Sequence, residues 1–252
     1  AVESTLNLIQ ISWTGGVAVT YTKQTNVIVV SNTSSQIIIS NFSSTDILSG
    51  TSRFLFFLCF VNPPSTRPFT ITLTSMYNTG TTYGVDTTTN TYTCNSGTII
   101  TYSLAASTYA INKVATYTIT FTTVNALTTG SYIAIVLPAY TSLVLGSTCS
   151  STNSLLTCSV ANTSYANISI SGTITSGRSL SITFNSVNNP TQALTTASFL
   201  IYTYYDSGLD SLVDRLISGM TVTSLANQLT SNVFVVPSSL VTYTSTSYLF
   251  SL

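Results

Sequence analysis

The sequence has no histidine and very few charged residues. Of its 252 residues, 5% are charged, with six acidic and six basic side chains, against roughly a quarter in an average globular protein. Without an imidazole, neither a Ser-His-Asp triad nor a Cys-His pair can be built, and the commonest general base is missing. We therefore expect a protein that is not an enzyme, with no catalytic residues, no metal site and no cofactor.

Long apolar runs and clusters of positive charge are also lacking. The longest apolar run, residues 54–61, is less than half of the roughly 20 residues that a membrane-spanning helix needs. The cations are too scattered for a nucleic-acid binding patch: Lys23, Arg53, Arg67, Lys113, Arg178 and Arg215. The sequence therefore predicts neither a membrane span nor a nucleic-acid partner. Because a neutral surface is poorly protected by charge, we expect glycans or self-association to cover it.

The residues that are abundant favour β-structure. There are 15 tyrosines and 11 phenylalanines, and Ser, Thr, Ile and Val are plentiful, all suited to a pleated, half-buried surface. Short alternating runs recur roughly every 8–12 residues between Asn, Gly, Ser and Pro clusters, the pattern of an all-β sandwich. The exception is an i, i+3, i+4, i+7 series that predicts two helical turns: Leu209, Leu212, Val213, Leu216 and Ile217.

A block of the sequence occurs twice. Gly50 and Gly177, Asn62 and Asn189, and Pro63 and Pro190 are each 127 residues apart, whereas Gly80 and Gly208, and Asp86 and Asp214, are 128 apart. A repeat of this length matches a whole domain and is too long for a solenoid unit. We therefore predict two tandem immunoglobulin-like β-sandwich domains, residues 1–110 and 111–236, with an extra terminal strand in residues 237–252.

The opening strand of each copy can be matched in the same way. Residues 1–12 are interpreted as the counterpart of residues 116–121, and the stretch 241–250 resembles a third opening strand with no domain behind it. An unpaired apolar strand invites aggregation unless it is used. It can fold back on its own domain or add to a sheet of a neighbouring molecule.

The four cysteines divide into two per copy. An even count, local pairing and the absence of histidine favour disulfides over metal binding or thiol chemistry. The predicted pairs are Cys59–Cys94 and Cys149–Cys158. Disulfides imply an extracellular setting, as a secreted protein or a cell-surface appendage.

Four sequence triplets match the N-glycosylation acceptor pattern, and each is expected to lie in an exposed, polar stretch. The acceptors are Asn32, Asn41, Asn162 and Asn167. In a chain so rich in Ser and Thr, such triplets also arise by chance.

Carboxylates are close together in the sequence only at Asp206, Asp210 and Asp214. Their spacing could place them on one helical face or around a calcium ion, but it lacks the alternate oxygen ligands of an EF-hand loop. We interpret them as a solvated turn.

The order Ser-Gly, strand, Asn-Pro, strand and Gly/Asp turn in both copies resembles repeats in large secreted surface proteins of protists. The whole chain is similar to the tandem immunoglobulin-like protomers of extracellular helical glycofibrils found in fresh water. The resemblance implies protomers that lock together by inserting a terminal β-strand into the neighbouring subunit, as pilus subunits do.

Two functions are therefore carried forward from the sequence. The first is a glycosylated extracellular filament that polymerises head to tail by β-strand addition. Its donor strand would hold Val241, Tyr243, Tyr248 and Phe250, or alternatively Leu6, Leu8, Ile9 and Ile11. The second is a monomeric surface adhesin or receptor module that binds a carbohydrate or protein through loops at one sandwich end.

Overall fold

A computed structural model describes residues 6–13, 18–21, 28–32, 36–40, 58–78, 82–144, 146–160, 162–208, 211–226, 234–237 and 248–251. Within these ranges the chain is all-β, so no helix there could cross a membrane. The strands up to residue 92 are β1 (Leu6–Trp13), β2 (Ala18–Tyr21), β3 (Ile28–Asn32), β4 (Gln36–Ser40), β5 (Leu58–Val61), β6 (Phe69–Asn78) and β7 (Thr82–Tyr92).

The later strands follow from residue 97 onward. They are β8 (Gly97–Thr98), β9 (Tyr102–Ala106), β10 (Val114–Thr122), β11 (Tyr132–Val136), β12 (Ser142–Leu143), β13 (Cys149–Ser151), β14 (Leu156–Val160), β15 (Tyr165–Ile170), β16 (Ser179–Asn188), β17 (Leu200–Tyr204), β18 (Leu212–Leu216), β19 (Phe234–Pro237) and β20 (Tyr248–Ser251).

Strands β8 to β18 form a β-sandwich of two sheets. One sheet has the order β12-β16-β10-β9, with β13 also paired to β16, and the other has the order β14-β15-β11-β17-β18-β8. Because side chains alternate along a strand, Tyr117, Ile119 and Phe121 of β10 are fully buried while the threonines between them face outward. The inward residues of both sheets form one apolar core.

The strands of residues 6–92 repeat most of this topology. Their five-stranded sheet has the order β3-β4-β1-β6-β7. A shift of about 127 residues matches these strands, in this order, with β14-β15-β11-β17-β18. The pairing of β2 with β5 corresponds to that of β12 and β13 with β16. The predicted all-β, immunoglobulin-like sandwich fold is confirmed, and the sequence repeat is a repeat of strand order.

Strand β10 is the exception to this repeat. A shift of 127 residues places its counterpart before β1. In the second sandwich β10 pairs with β16, but no described strand of residues 6–92 takes the matching position beside β5. The predicted match of residues 1–12 with 116–121 is therefore wrong. Strand β1 takes the position of β11, since it pairs with β4 on one side and β6 on the other.

The segment around residue 100 belongs by its pairing to the second sandwich. Strand β9 pairs with β10, and β8 runs parallel to β18. The predicted boundary at residue 110 assigns both strands to the first domain. The two copies also touch directly, because the Thr66 N–H donates to the carbonyl oxygen of Leu212 at 2.8 Å and Arg67 pairs with Asp206 at 3.4 Å.

The predicted helical turns over residues 209–217 are replaced by strand β18 in the described part of that range. Strand β18 pairs with β17 with a register shift between Thr203 and Tyr204. This irregularity turns the consecutive residues Val213 and Asp214 inward together with Leu216. The bulged strand therefore produces a spacing of apolar residues that resembles that of a helix.

Candidate functional site

The edge formed by β6 and β7 is open. Residues 86–92 of β7 are all exposed, and β6 is the one strand that pairs with β7 in the described part of the chain. Leu73 of β6 is half-buried, whereas its counterpart in the second sandwich, Ile201, is fully buried. A groove of about 240 Å³ lies at this edge, lined by Leu73, Ser75, Asp86, Thr87 and Thr88. Apolar surface of β6 is therefore incompletely covered.

Strand β10 fills a position in the other sheet of the second sandwich, beside β16, for which the described strands of residues 6–92 show no counterpart. It lies between β16 and β9 and contributes Tyr117, Ile119 and Phe121 to the core at 0% exposure. Full burial of each such side chain stabilises the fold by roughly 1.5–3 kcal/mol. The corresponding place beside β5 is thus the position where one added strand would complete a core.

The two predicted donor strands differ in their environment. The residues Leu6, Leu8, Ile9 and Ile11 belong to β1, which has a partner along both edges and is not available for donation. Tyr248 and Phe250 belong to β20, which pairs with β19 in a two-stranded sheet separate from the described sandwich sheets. Val241 and Tyr243 lie outside the described residues. No described strand pairs with the other edge of β20.

The predicted Cys149–Cys158 disulfide is confirmed. It joins β13 to β14 with a Cα–Cα distance of 5.6 Å. Since β13 pairs with β16 and β14 with β15, the bond connects the two sheets of the sandwich. It therefore fixes one end of the core layer covalently.

The other predicted disulfide, Cys59–Cys94, is not formed. Cys94 carries a free, half-buried thiol. Cys59 lies in β5, which pairs with β2, whereas Cys94 follows β7 of the other sheet. Spacing in the sequence could not show where these two cysteines lie in the fold.

The four glycosylation acceptors occupy different environments. Asn162 is exposed in the turn before β15, and its Oδ1 accepts hydrogen bonds from the backbone N–H groups of Ser164 and Tyr165. Asn167 lies within β15 and is half-buried. Asn32 is the last residue of β3, with its side chain outside the description, and Asn41 lies outside the described residues. The expected exposed, polar setting therefore fits Asn162 but not Asn167.

Asp214 is completely buried, so its interpretation as part of a solvated turn is wrong. Its Oδ2 accepts hydrogen bonds from the N–H groups of Val124 and Asn125 at 3.0 and 3.1 Å, and its Oδ1 accepts one from Asn125 Nδ2 at 2.7 Å. The carboxylate thereby attaches the turn between β10 and β11 to β18. Gly97 makes room for it, since a β-carbon at Gly97 would collide with Oδ1 of Asp214. Nothing in the sequence singled out Gly97.

The other acidic residues do not join Asp214. Asp206 is half-buried and pairs with Arg67, while its Oδ2 also accepts a hydrogen bond from Ser211 Oγ at 3.1 Å. Asp210 lies outside the described residues. No three acidic, cysteine or histidine side chains in the described part of the chain come together as metal ligands would.

The repeated Asn-Pro mark has different roles in the two copies. Asn189 is buried and accepts a hydrogen bond from the Tyr117 hydroxyl, while its Nδ2 donates to the carbonyl oxygens of Thr108 and Ala110 at 3.0 and 2.8 Å. Burial, and secondly the neighbouring Tyr109, raise the pKa of Tyr117 to about 12. Asn62, its counterpart, is exposed. The mark therefore indicates a strand end in both copies and a hydrogen-bonded anchor only in the second.

Comparison with known proteins gives no family. No family model matches the chain, and no curated protein matches it. Among solved structures, the collagen adhesin from S. aureus matches with 12% identity and a TM-score of 0.31, covering 86% of this chain and 81% of its own. A putative membrane anchored protein from Corynebacterium diphtheriae matches with 10% identity and a TM-score of 0.33, covering 88% and 83%. The bacterial hydrophobin BslA matches with 12% identity and a TM-score of 0.33, covering 52% and 98%. Similarities at this level assign no function.

Proposed function

We propose that the chain is a structural subunit of an extracellular filament, in which a terminal strand of one molecule adds to the first sandwich of the next. The observation that carries the proposal is the strand position beside β5, which no described strand fills, although β10 fills its counterpart beside β16. The Cys149–Cys158 disulfide fits an extracellular or cell-surface protein.

The sequence of the proposed donor matches that of β10. Residues 116–120 read Thr-Tyr-Thr-Ile-Thr and residues 242–246 read Thr-Tyr-Thr-Ser-Thr, 126 residues further on. In this alignment Tyr243 corresponds to Tyr117, the largest fully buried side chain of the second sandwich. Tyr243 is therefore the side chain that we expect to enter the core of the neighbouring molecule.

The donor needs one irregularity to use all four proposed anchors. Val241 and Tyr243 share one face of a regular strand, whereas Tyr248 and Phe250 share the other, because side chains alternate with period two. Strand β10 has a comparable shift in register between Ala115 and Tyr117. A bulge between Tyr243 and Tyr248 would place all four on the core side.

Strand addition supplies both affinity and direction. Backbone hydrogen bonds to β5 provide the pairing, and alternate side chains fill the open core. Since donor and acceptor are different parts of the chain, the contact is heterologous and extends into a filament instead of closing into a dimer.

The test is a pair of full-length variants on opposite faces of the donor. Tyr243→Asp should abolish assembly, because it would bury an unpaired carboxylate in the acceptor core. Thr244→Asp, which corresponds to the outward-facing Thr118, should leave assembly intact. Assembly is measured by sedimentation velocity and electron microscopy. Equal assembly of both variants would contradict the donor assignment, and a wild-type chain that stays monomeric would favour the surface adhesin.

A further inference from the structure

The outer face of the second sheet of the sandwich is rich in tyrosine. Four half-buried tyrosines point outward from β11, β15 and β17, and we call them the tyrosine face: Tyr132, Tyr165, Tyr202 and Tyr204. The rings of Tyr202 and Tyr204 lie 6.2 Å apart at 37°. Burial, and secondly the neighbouring Tyr202, raise the pKa of Tyr204. The rings of Tyr202 and Tyr204 therefore pack side by side.

A small residue lies at the centre of this face. Ala134 of β11 pairs with Asn167 of β15 on one side and with Tyr202 of β17 on the other. Adjacent strands are about 4.8 Å apart, so Asn167 and Tyr202 face each other across Ala134 at roughly 10 Å. Ala134 is itself only 7% exposed. The amide of Asn167 and the ring of Tyr202 therefore flank a small, buried residue on the outer face.

Asn167 is the acceptor of the triplet Asn167-Ile168-Ser169, and the whole triplet is placed for modification from this side. Ile168 points into the core, whereas Tyr165, Asn167 and Ser169 share the outer face of β15. The Oδ1 atom of Asn167 is buried without a hydrogen-bond partner. The structure therefore leaves the oxygen of the acceptor amide unpaired.

We propose that Asn167 carries an N-linked glycan whose first sugars lie flat on the tyrosine face, between Tyr165 and Tyr202. A bond forms between Nδ2 and C1 of the first sugar of a lipid-diphosphate oligosaccharide. The bond from C1 to the diphosphate oxygen breaks, the lipid diphosphate leaves, and Nδ2 gives up one proton. The reaction takes place on the unfolded chain during secretion, so burial in the final fold does not prevent it.

The chemistry of the face fits a sugar as its occupant. A pyranose has an apolar C–H side that packs on aromatic rings, while its hydroxyl groups stay in contact with water. The tyrosine face is also uncharged, apart from Arg215 of β18, which pairs with Tyr202 at its border. A glycan attached at Asn167 reaches this surface without the loss of translational and rotational freedom that association costs, which favours it over a free polysaccharide or a second copy of the chain.

The inference is tested on the full chain secreted from a eukaryotic host. Peptide mass spectrometry should find Asn167 occupied. Ser169→Ala, which prevents attachment at Asn167, should lower Tm by about 2–4 °C or more. The control Ser164→Ala, which prevents attachment at the exposed Asn162, should change Tm less. An endoglycosidase that leaves one sugar on Asn167 should preserve most of the stability.

A double comparison separates glycan packing from an ordinary structural effect of the tyrosines. Tyr165→Thr and Tyr202→Thr should lower Tm more in the glycosylated chain than in chains that also carry Ser169→Ala. Tyr140→Ala, which changes a position that is 70% exposed and creates no acceptor triplet, should change Tm equally in both. An unoccupied Asn167, or equal Tyr165 and Tyr202 effects with and without the glycan, would overturn the inference. The inference would also be overturned if the tyrosine face were protected from solvent only in the unglycosylated chain, either by self-association or by added polysaccharide.

Discussion

The hydroxyl of Tyr117 donates a hydrogen bond of 2.7 Å to Oδ1 of Asn189 inside the core of the second sandwich. The two residues are 72 positions apart and lie on or beside the paired strands β10 and β16. Through its Nδ2, Asn189 also holds the carbonyl oxygens of Thr108 and Ala110. One buried amide thus attaches the segment that precedes β10 to the end of β16.

Replacing Asn189 should be strongly destabilising. Asn189→Ala removes three hydrogen bonds and leaves the Tyr117 hydroxyl without its partner, so we expect a loss of about 2–4 kcal/mol in the free energy of unfolding. The repeat offers a matched control in Asn62→Ala, at the equivalent but exposed position, which should change stability by less than about 0.5 kcal/mol. Urea denaturation monitored by circular dichroism measures both. Similar effects of the two substitutions would contradict the anchor.

The stability of the chain should fall at alkaline pH in a way that depends on Tyr117. Its folded-state pKa of about 12 lies above the ordinary value of 10.0 expected for the unfolded chain. The unfolded state therefore loses its proton first, so the contribution is complete below pH 10.0 and declines as the pH rises toward 12. Tyr117→Phe should lower overall stability and give a shallower decline over this range. Thermal unfolding at several pH values tests this, and an unchanged slope would contradict it.

Gly97 and Asp214 should behave as a coupled pair. Gly97→Ala places a methyl group against the buried carboxylate, for which we expect a loss of about 1–3 kcal/mol. Asp214→Asn puts an NH₂ group where N–H donors converge. It should lower the free energy of unfolding by about 2–3 kcal/mol. Asp86→Asn, at the exposed counterpart in the first copy, is the control. All variants are produced in a host that does not glycosylate, because this substitution creates an acceptor triplet with Thr87 and Thr88. Chemical denaturation of the three variants should rank Asp86→Asn as nearly neutral, and any other order argues against the pair.

The disulfide between Cys149 and Cys158 should contribute measurably to stability. It closes a loop with a sequence separation of 9, for which the loss of chain entropy in the unfolded state predicts about 2–3 kcal/mol. We expect Cys149→Ala combined with Cys158→Ala to unfold at correspondingly lower denaturant concentration. Cys94→Ala, which removes a thiol that is free in this structure, serves as the comparison. If reducing agent lowers the stability of the double variant as much as that of the wild type, another disulfide contributes.

The sequence predicted the β-sandwich and its repeat because strand alternation and turn residues are local signals. Its failures concern information that local pattern does not contain. Leu212, Val213 and Leu216 follow helical spacing because a bulge in β18 turns two neighbouring residues inward. Cys94 is free although its spacing from Cys59 is suitable, because spacing does not show where two cysteines lie in the fold.

The candidate site was predictable in part. The stretch 241–250 was identified from the sequence as an opening-type strand without a domain of its own, but its acceptor was not. The position of β10 becomes visible only when the strand orders of the two copies are compared, since β1 proves to match β11. Asn167 was predicted from its triplet as one of four candidate glycan acceptors, but its place among Tyr165, Tyr132 and Tyr202 depends on the register of three strands.

Electron microscopy of the purified chain beside a chain that ends at Val236 tests strand addition most directly. The proposal predicts regular fibres from the full-length chain and none from the shortened one. A synthetic peptide of residues 238–252 should occupy the acceptor position and stop fibre growth by the full-length chain. Fibres from both chains would exclude residues 237–252 as the donor. Discrete two-lobed particles from both would contradict the filament altogether and leave the surface adhesin as the function to pursue.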